Sequence, residues 1–119
     1  MNITDLNTSE FVTKVGDYKT YPDNWKYIGH KPCIVTFHAP WCGYCKALYP
    51  ILEEVSEEYS DKVDFYRINV DEEEALETAF DIEKIPTLLL CPVKGKETMT
   101  LGVMGKKELK KLIEDTLLK

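Results

Sequence analysis

Long apolar runs and an excess of basic residues are both absent from this chain of 119 residues. No stretch approaches the roughly 20 apolar residues that a membrane-spanning helix needs. Lys and Arg together number 15 against 21 Asp and Glu, which gives a formal net charge of −6. Nucleic acids and anionic membranes attract clustered positive charge. We therefore expect neither nucleic acid nor a membrane as a partner.

Recognisable cofactor and targeting signals are also missing. The chain has no Gly-rich phosphate loop and no further constellation of metal ligands, so we expect no metal and no bound cofactor. The first residues show neither the basic region nor the apolar core of a signal peptide. The sequence therefore predicts a cytoplasmic protein if the chain is complete, and an extracytoplasmic or periplasmic one if a signal peptide has been removed.

The four cysteines, Cys33, Cys42, Cys45 and Cys91, are too few for the disulfide framework of a small secreted domain. Cys42 and Cys45 are close in sequence, whereas Cys33 and Cys91 stand alone on apolar runs. If those runs are adjacent antiparallel strands, the two single thiols either pair or stay free as small buried hydrophobes, and we favour the second. One close pair and two singles favour a reactive site over structural crosslinks.

The hydrophobic pattern predicts alternating strands and helices. Apolar runs at 33–37 and 87–91 are typical of strands covered on both faces, and residues 63–70 are predicted to form another strand. Helical periodicity marks residues 42–59 and the last segment, 109–117. The strands and the helices between them are the framework of the predicted fold.

Shorter elements complete this reading. Residues 3–6 favour an edge strand, and Thr8 or Ser9 is the expected N-cap of the helix that follows. A short helix is expected near 22–27, and Asp71 is expected to cap a third helix. The resulting order, β-α-β-α-β-α-β-β-α, predicts parallel pairing with right-handed crossovers, followed by an antiparallel hairpin.

The segment Cys42-Gly43-Tyr44-Cys45 carries the chemistry. Two thiols three positions apart at a helix start can face each other across one turn, so they can close and reopen a disulfide. The helix N-terminus favours thiolate over thiol, and a thiolate attacks other disulfides. A structural disulfide or half of a zinc site is the alternative, but a zinc site needs further ligands. The segment therefore predicts disulfide exchange with a partner.

Several motifs resemble the thioredoxin superfamily. They are Ala39-Pro40-Trp41-Cys42-Gly43-Tyr44-Cys45-Lys46, Arg67-Ile68-Asn69-Val70-Asp71, Ile85-Pro86-Thr87 and Gly102. The resemblance is good from Cys33 onward and weaker over residues 1–32. It implies a single thioredoxin-like domain over residues 1–119. The resemblance implies an α/β thioredoxin fold, with a parallel β-α-β core, a C-terminal β-hairpin, and helices on both faces of a mixed central sheet.

The residues of the motif have distinct expected roles. Cys42 is the expected attacking thiol, exposed at the helix tip, and Cys45 is the resolving thiol one turn deeper. Gly43 and Tyr44 lie between the thiols and are expected to tune their redox poise, as is Trp41. The redox-active disulfide between Cys42 and Cys45 then takes the place of a cofactor.

Substrate contacts follow from the same resemblance. Trp41 is expected to form a flat apolar platform for an extended peptide. The resemblance implies a cis bond at Pro86, which places the Ile85 backbone beside the sulfurs, ready to pair with a substrate strand. Gly102 is expected to let that backbone approach without a Cβ in the way.

Thr36 departs from the family pattern. Members often carry a buried acid at this position as the proton acceptor for the resolving cysteine, and a threonine hydroxyl does not ionise near neutral pH. We therefore expect Cys45 to lose its proton more slowly than in relatives that have the acid. His38, four residues before Cys42, is a further candidate, because a protonated imidazole there would help to stabilise the thiolate.

The leading hypothesis is a thioredoxin-like reductase of protein or peptide disulfides, most simply a monomer, that a redox partner recharges. An extracytoplasmic disulfide oxidase or isomerase is the first alternative, because Tyr44 replaces the proline common in cytosolic reductases. A binding module without turnover is the second. Retention of both thiols weighs against it.

Overall fold

The computed structural model of the chain describes residues 2–118. Its elements follow the predicted order. They are β1 (Ile3–Asp5), α1 (Thr8–Lys14), β2 (Cys33–His38), α2 (Gly43–Glu58), β3 (Asp64–Asn69), α3 (Glu74–Ala79), β4 (Thr87–Cys91), β5 (Thr98–Leu101) and α4 (Lys106–Thr116). Within residues 2–118, no helix is both long and apolar enough to cross a lipid bilayer.

The strands form one five-stranded mixed sheet in the order β1-β3-β2-β4-β5. β1, β3 and β2 pair in parallel, whereas β4 runs antiparallel to β2 and β5 antiparallel to β4. Every residue of β2 from Cys33 to Phe37 is buried, because this central strand is covered on both faces. The mixed sheet with its C-terminal hairpin confirms the predicted fold class.

Alternate residues of β2 divide the core into two layers. Val35 and Phe37 pack with Phe11 of α1 and Leu76 of α3 on one face of the sheet. Ile34 packs on the other face with buried apolar side chains of α2 and α4. Since successive side chains of a strand point to opposite faces, helices flank the sheet on both sides.

Asn7, not Thr8 or Ser9, caps α1. The Asn7 side chain accepts the Glu10 N–H at 2.8 Å, and the Glu10 side chain accepts the Asn7 N–H at 3.0 Å. The Thr8 hydroxyl donates instead to Oε1 of Glu73, at 2.9 Å. The predicted cap is wrong because this long-range partner takes the Thr8 side chain.

The helix predicted near 22–27 does not form in the described chain. Residues 22–24 make a turn, and residues 25–29 have no regular structure. Trp25 is buried, and its ring lies 6.1 Å from that of Phe11 and 5.7 Å from that of Phe80, centroid to centroid. Aromatic packing, rather than helical hydrogen bonds, holds this segment against the sheet.

The third helix starts later than predicted, with Glu73 rather than Asp71 at its N-cap. The turn after β3 uses Asn69 as its acceptor. The Asn69 side chain accepts the Asp71 N–H at 2.9 Å, and the Asn69 carbonyl accepts the Glu73 N–H at 3.0 Å. This turn delays the helix and leaves the Asp71 carboxylate facing the junction of β2 and α2.

Candidate active site

The end of β2 leads directly into the start of α2, and this junction carries the pair Cys42 and Cys45. Cys42 is the N-cap of α2, and its Sγ accepts the Cys45 backbone N–H at 3.2 Å. The Cys42 N–H donates to the Ala39 carbonyl at 3.1 Å, which fixes the preceding turn. Free N–H groups and the positive end of the helix dipole stabilise a negative charge at this position.

Both thiols are free, and both are mostly covered. Cys42 retains 5% of its surface and Cys45 7%. The expectation that Cys42 is openly exposed is therefore wrong, and its residual surface opens into a cleft. Among residues 2–118, no three His, Cys, Asp or Glu side chains are grouped so that they could hold a metal ion.

The loop before β4 borders Cys42 on another side. The peptide bond between Ile85 and Pro86 is cis, as the resemblance implied. The Ile85 carbonyl oxygen lies 3.8 Å from Cys42 Sγ. The backbone of this loop therefore lies directly beside the sulfur.

Cys45 is the harder of the two thiols to reach and to ionise. Burial, followed by contact with Cys42, raises the pKa of the Cys45 thiol to about 12. Removal from water disfavours the charged form of an acid. Cys45 is therefore a protonated thiol near neutral pH, and it must give up a proton before it can attack another sulfur.

A cavity of about 430 Å³ lies behind Cys45, between α2 and the strands β2 and β3. Thr36 of β2 lines it opposite Arg67 of β3, its partner in the parallel register. His38 lines it two residues further along the same face of β2. The fold thus brings a hydroxyl, a guanidinium and an imidazole to one space beside the Cys45 thiol.

The imidazole of His38 is neutral near pH 7. Burial and then the charge of Arg67 lower the pKa of His38 below its ordinary value, against a smaller opposing effect of Asp5 and Asp71. A neutral ring does not supply the positive charge that was expected to stabilise the Cys42 thiolate. Among residues 2–118, the buried Nε2 of His38 has no hydrogen-bond partner. A neutral imidazole carries one nitrogen that accepts a proton.

Arg67 is fixed beside His38 by two contacts. Its Nε donates to Oδ1 of Asp5 at 2.9 Å, and its guanidinium lies 4.5 Å from the centre of the Tyr49 ring. Charge pairing and the cation–π contact restrict the side chain. The positive charge of Arg67 is therefore held at one position in the cavity wall.

Exposed apolar side chains surround Cys42 on the outer face of the molecule. Trp41 and Tyr44 each retain 68% of their surface, Leu101 47% and Val103 52%. A cleft of about 630 Å³ is lined by Trp41, Cys42, Gly43, Tyr44, Glu83, Lys84, Ile85, Leu101 and Val103. The sequence reading missed Leu101 and Val103, although their apolar character on either side of Gly102 was a usable signal.

Trp41 is held in its exposed position by Asp71. The indole Nε1–H donates to Asp71 Oδ2 at 2.9 Å. Asp71 therefore orients Trp41 rather than capping α3. The two residues are 30 positions apart, so no local pattern predicts their contact.

Gly102 is buried, and its missing Cβ faces the core. A Cβ there would lie 3.1 Å from Leu88 Cγ and 3.2 Å from Leu48 Cδ2. The Gly102 N–H donates to the Pro86 carbonyl at 2.8 Å. These contacts give Gly102 a packing reason for lacking a side chain, and they tie its loop to the cis-proline loop.

Gly43 and Tyr44 lie in the first turn of α2, between the two thiols. Tyr44 is exposed, and a Cβ built on Gly43 would meet nothing within 4 Å. Both positions therefore accept other side chains without disturbing the core.

Comparison with known proteins agrees with this geometry. The family model described as Thioredoxin matches residues 8–115. The chain is 37% identical over 110 residues to the thioredoxin of Borreliella burgdorferi, covering 92% of this chain and 93% of that protein. It is also 35% identical over 112 residues to the chloroplastic M-type thioredoxin of Spinacia oleracea, covering 92% of this chain and 61% of that protein. The chain therefore belongs to the thioredoxin family, and it is a protein-disulfide oxidoreductase whose redox-active group is part of the polypeptide.

Proposed function

We propose that the chain reduces disulfides of protein substrates through its Cys42-Gly43-Tyr44-Cys45 segment. The asymmetry of the two thiols carries this proposal. Cys42 Sγ lies at the helix N-terminus and accepts the Cys45 N–H, whereas Cys45 is buried, with its pKa raised to about 12. One sulfur thus lies where backbone N–H groups face it, and the other stays buried as a thiol.

The reaction proceeds in two exchanges. The Cys42 thiolate attacks one sulfur of the substrate disulfide, and the other substrate sulfur leaves as a thiolate. Cys45 then loses its proton and attacks Cys42 Sγ, which releases the second substrate sulfur and leaves a disulfide between Cys42 and Cys45. The substrate has gained two electrons, and a dithiol or an electron-donating redox partner returns the protein to its starting state.

The outer cleft binds the substrate segment in this proposal. An extended peptide can lie across Trp41 and the exposed residues Leu101 and Val103. The Ile85 peptide, 3.8 Å from Cys42 Sγ, can pair with the backbone of that segment by β-augmentation. Apolar contact supplies affinity without a demand for particular side chains, so the cleft suits many unfolded or extended substrates.

His38 serves as the proton acceptor for Cys45. Among the described residues that line the cavity, His38 is the side chain whose ordinary pKa lies nearest to neutral pH. Its neutral imidazole has a nitrogen that can accept a proton. Its Nε2 can take the proton as the new S–S bond forms, through water in a cavity of about 430 Å³.

Insulin reduction with a dithiol as electron source tests the function. The unaltered chain should accelerate the precipitation of reduced insulin, Cys42→Ser should abolish the acceleration, and Cys45→Ser should accumulate a mixed disulfide with the substrate. Equal rates for the unaltered chain and Cys42→Ser would favour a binding module instead.

The direction of exchange is tested by equilibration with glutathione. A reductase should have a reduction potential below the glutathione poise of about −220 to −320 mV. A potential well above that range would favour the oxidase or isomerase. The observation that supports this alternative is Tyr44, which lies exposed between the thiols in place of the proline common in cytosolic reductases.

A further inference from the structure

The other two cysteines face each other at the far end of the sheet. Cys33 is the first residue of β2, Cys91 is the last residue of β4, and the two are directly opposed in the antiparallel register. Directly opposed residues place their Cα atoms about 4.5–5.5 Å apart with both side chains on one face. A disulfide requires a Cα separation of about 4.4–6.8 Å. The register therefore meets the backbone requirement for a crosslink.

The two thiols also touch. Contact with the Cys33 thiol, followed by burial, raises the pKa of the Cys91 thiol above its ordinary value. Both side chains are fully buried and both are free. They lie in the core layer that contains Trp25 and, at its edge, Tyr27. Their neighbours in that layer are chiefly apolar, while the Tyr27 hydroxyl contacts the Cys33 thiol and the charge of Glu97 acts on Cys91.

Cys33 and Cys91 are the last paired residues at one end of the β2–β4 pairing. Pro32 precedes Cys33 and Pro92 follows Cys91, and a proline has no N–H with which to continue strand pairing. The terminal rung of a ladder opens more easily than its centre. The pairing of β2 with β4 therefore holds the two thiols together on one side. On the other side they adjoin a segment without regular structure.

The covering segment is the least regular part of the fold. Residues 25–29 have no regular structure, and Tyr27 is half-buried against the Cys33 layer. The Tyr27 hydroxyl donates to the Lys31 carbonyl, which closes this segment on itself. Opening of the segment gives a small oxidant a path to Cys33 without unfolding the sheet.

This pair is remote from the candidate active site. Cys33 and His38 stand at opposite ends of β2, five residue steps apart. At about 3.3 Å per step this is roughly 17 Å. Cys42 is the N-cap of α2, which follows the His38 end of β2, so the two pairs of thiols lie at opposite ends of this strand.

We propose that Cys33 and Cys91 are a second redox couple, a buried cross-strand dithiol that hydrogen peroxide closes into a disulfide. The Cys33 sulfur attacks one peroxide oxygen, the O–O bond breaks, and the other oxygen leaves as water with the thiol proton, which leaves a sulfenic acid on Cys33. The Cys91 thiol then attacks the sulfenic sulfur, the S–S bond forms, and the sulfenic oxygen leaves as a second water. Two thiols and one peroxide thus become one disulfide and two waters. A dithiol reduces the disulfide back to two thiols.

The disulfide between Cys33 and Cys91 would crosslink β2 and β4 at their last paired residues. The bond closes a loop from residue 33 to residue 91 and restricts the unfolded chain more than the folded one. The oxidised form should therefore resist unfolding better than the reduced form. Cys33 and Cys91 have no exposed surface, whereas Cys42 retains 5% and Cys45 7%. Oxidation of Cys33 and Cys91 should therefore be much slower than oxidation of Cys42 and Cys45.

The test uses the double variant Cys42→Ser/Cys45→Ser, which retains only Cys33 and Cys91. After exposure to hydrogen peroxide, the folded protein should lose two hydrogen atoms by intact mass, and its digest should contain one peptide pair joined through Cys33 and Cys91. The midpoint of thermal unfolding should rise, and dithiothreitol should reverse both changes. Adding Cys33→Ala or Cys91→Ala to the double variant should abolish the mass loss.

Three results would overturn the proposal: two free thiols that persist until the protein unfolds, sulfinic acid on one cysteine, or a disulfide between molecules. If the double variant does not fold, the single variant Cys45→Ser with Cys42 alkylated in the native state is treated in the same way. Tyr27→Phe removes the hydroxyl contact with Lys31 and should speed closure severalfold. These readouts do not depend on insulin reduction, so they stand apart from the proposed function.

Discussion

Replacement of Thr36 by aspartate tests how Cys45 loses its proton. Because burial and contact with Cys42 raise the pKa of Cys45 to about 12, Cys45 is almost entirely a protonated thiol near pH 7. The attack of Cys45 on Cys42 is then limited by proton removal. Thr36 is 3% exposed and lines the same cavity as Cys45, opposite Arg67 in the register. A carboxylate at this position can accept the proton.

A positioned general base contributes about 10²–10⁴-fold to such a step. Since His38 already supplies part of this effect in the proposed mechanism, we expect Thr36→Asp to accelerate the resolving step about tenfold near pH 7. Thr36→Asn is the matched control, because its amide has the same shape and does not ionise. His38→Gln should slow the same step and remove the inflection that imidazole titration gives to the pH profile.

Rapid mixing with a small aromatic disulfide separates the two exchanges. The first release of aromatic thiol reports the attack by Cys42, and the second reports the attack by Cys45. Thr36→Asp should change the second phase and leave the first nearly unaltered, and Cys45→Ser should lack the second phase. Identical second-phase rates for Thr36→Asp and Thr36→Asn at every pH would refute the reasoning.

Three further predictions concern other parts of the site. Asp71→Asn weakens the charge-assisted bond to Trp41 by about 1 kcal/mol and should lower kcat/KM for insulin roughly fivefold, while the first phase with the aromatic disulfide stays the same. Gly102→Val forces methyl groups into the core, where even a Cβ would lie 3.1 Å from Leu88 Cγ. The variant should lose about 1–3 kcal/mol of its free energy of unfolding, measured in urea. An unchanged urea midpoint would contradict this packing role. Folding raises the pKa of Cys45 from 9.0 to about 12, so its contribution to stability is complete below pH 9 and is lost as pH rises toward 12. Thermal melts of the unaltered chain and Cys45→Ser should therefore converge over that interval, and parallel curves would argue against it.

Local pattern was sufficient for most elements of the fold. The apolar run at 33–37 predicts a covered strand, and β2 is the central strand of the sheet. The thiol spacing predicts a helix start, and the family resemblance implies a cis-proline loop at Ile85-Pro86. The structure brings Cys42 Sγ within 3.8 Å of the Ile85 carbonyl oxygen. Patterns of this kind are readable because they depend on residues only a few positions apart.

The starts of α1 and α3 were not readable in the same way. The Thr8 backbone N–H and hydroxyl both donate to Glu73 Oε1, at 2.8 and 2.9 Å, across 65 positions of sequence. This contact leaves the capping of α1 to Asn7. Asp71 could equally well have capped a helix or bound an indole, and only the position of Trp41 in space decided between them.

The sequence by itself determined which residues carry the reactive sulfurs and in what order the strands and helices follow. Tertiary structure alone decided which groups meet them: His38 and Arg67 behind Cys45, and Cys91 opposite Cys33. Helical and strand periodicity arise from backbone geometry that repeats every few residues, so one segment is enough to reveal them. Contacts between segments depend on strand order and register, which are fixed only when the whole core packs.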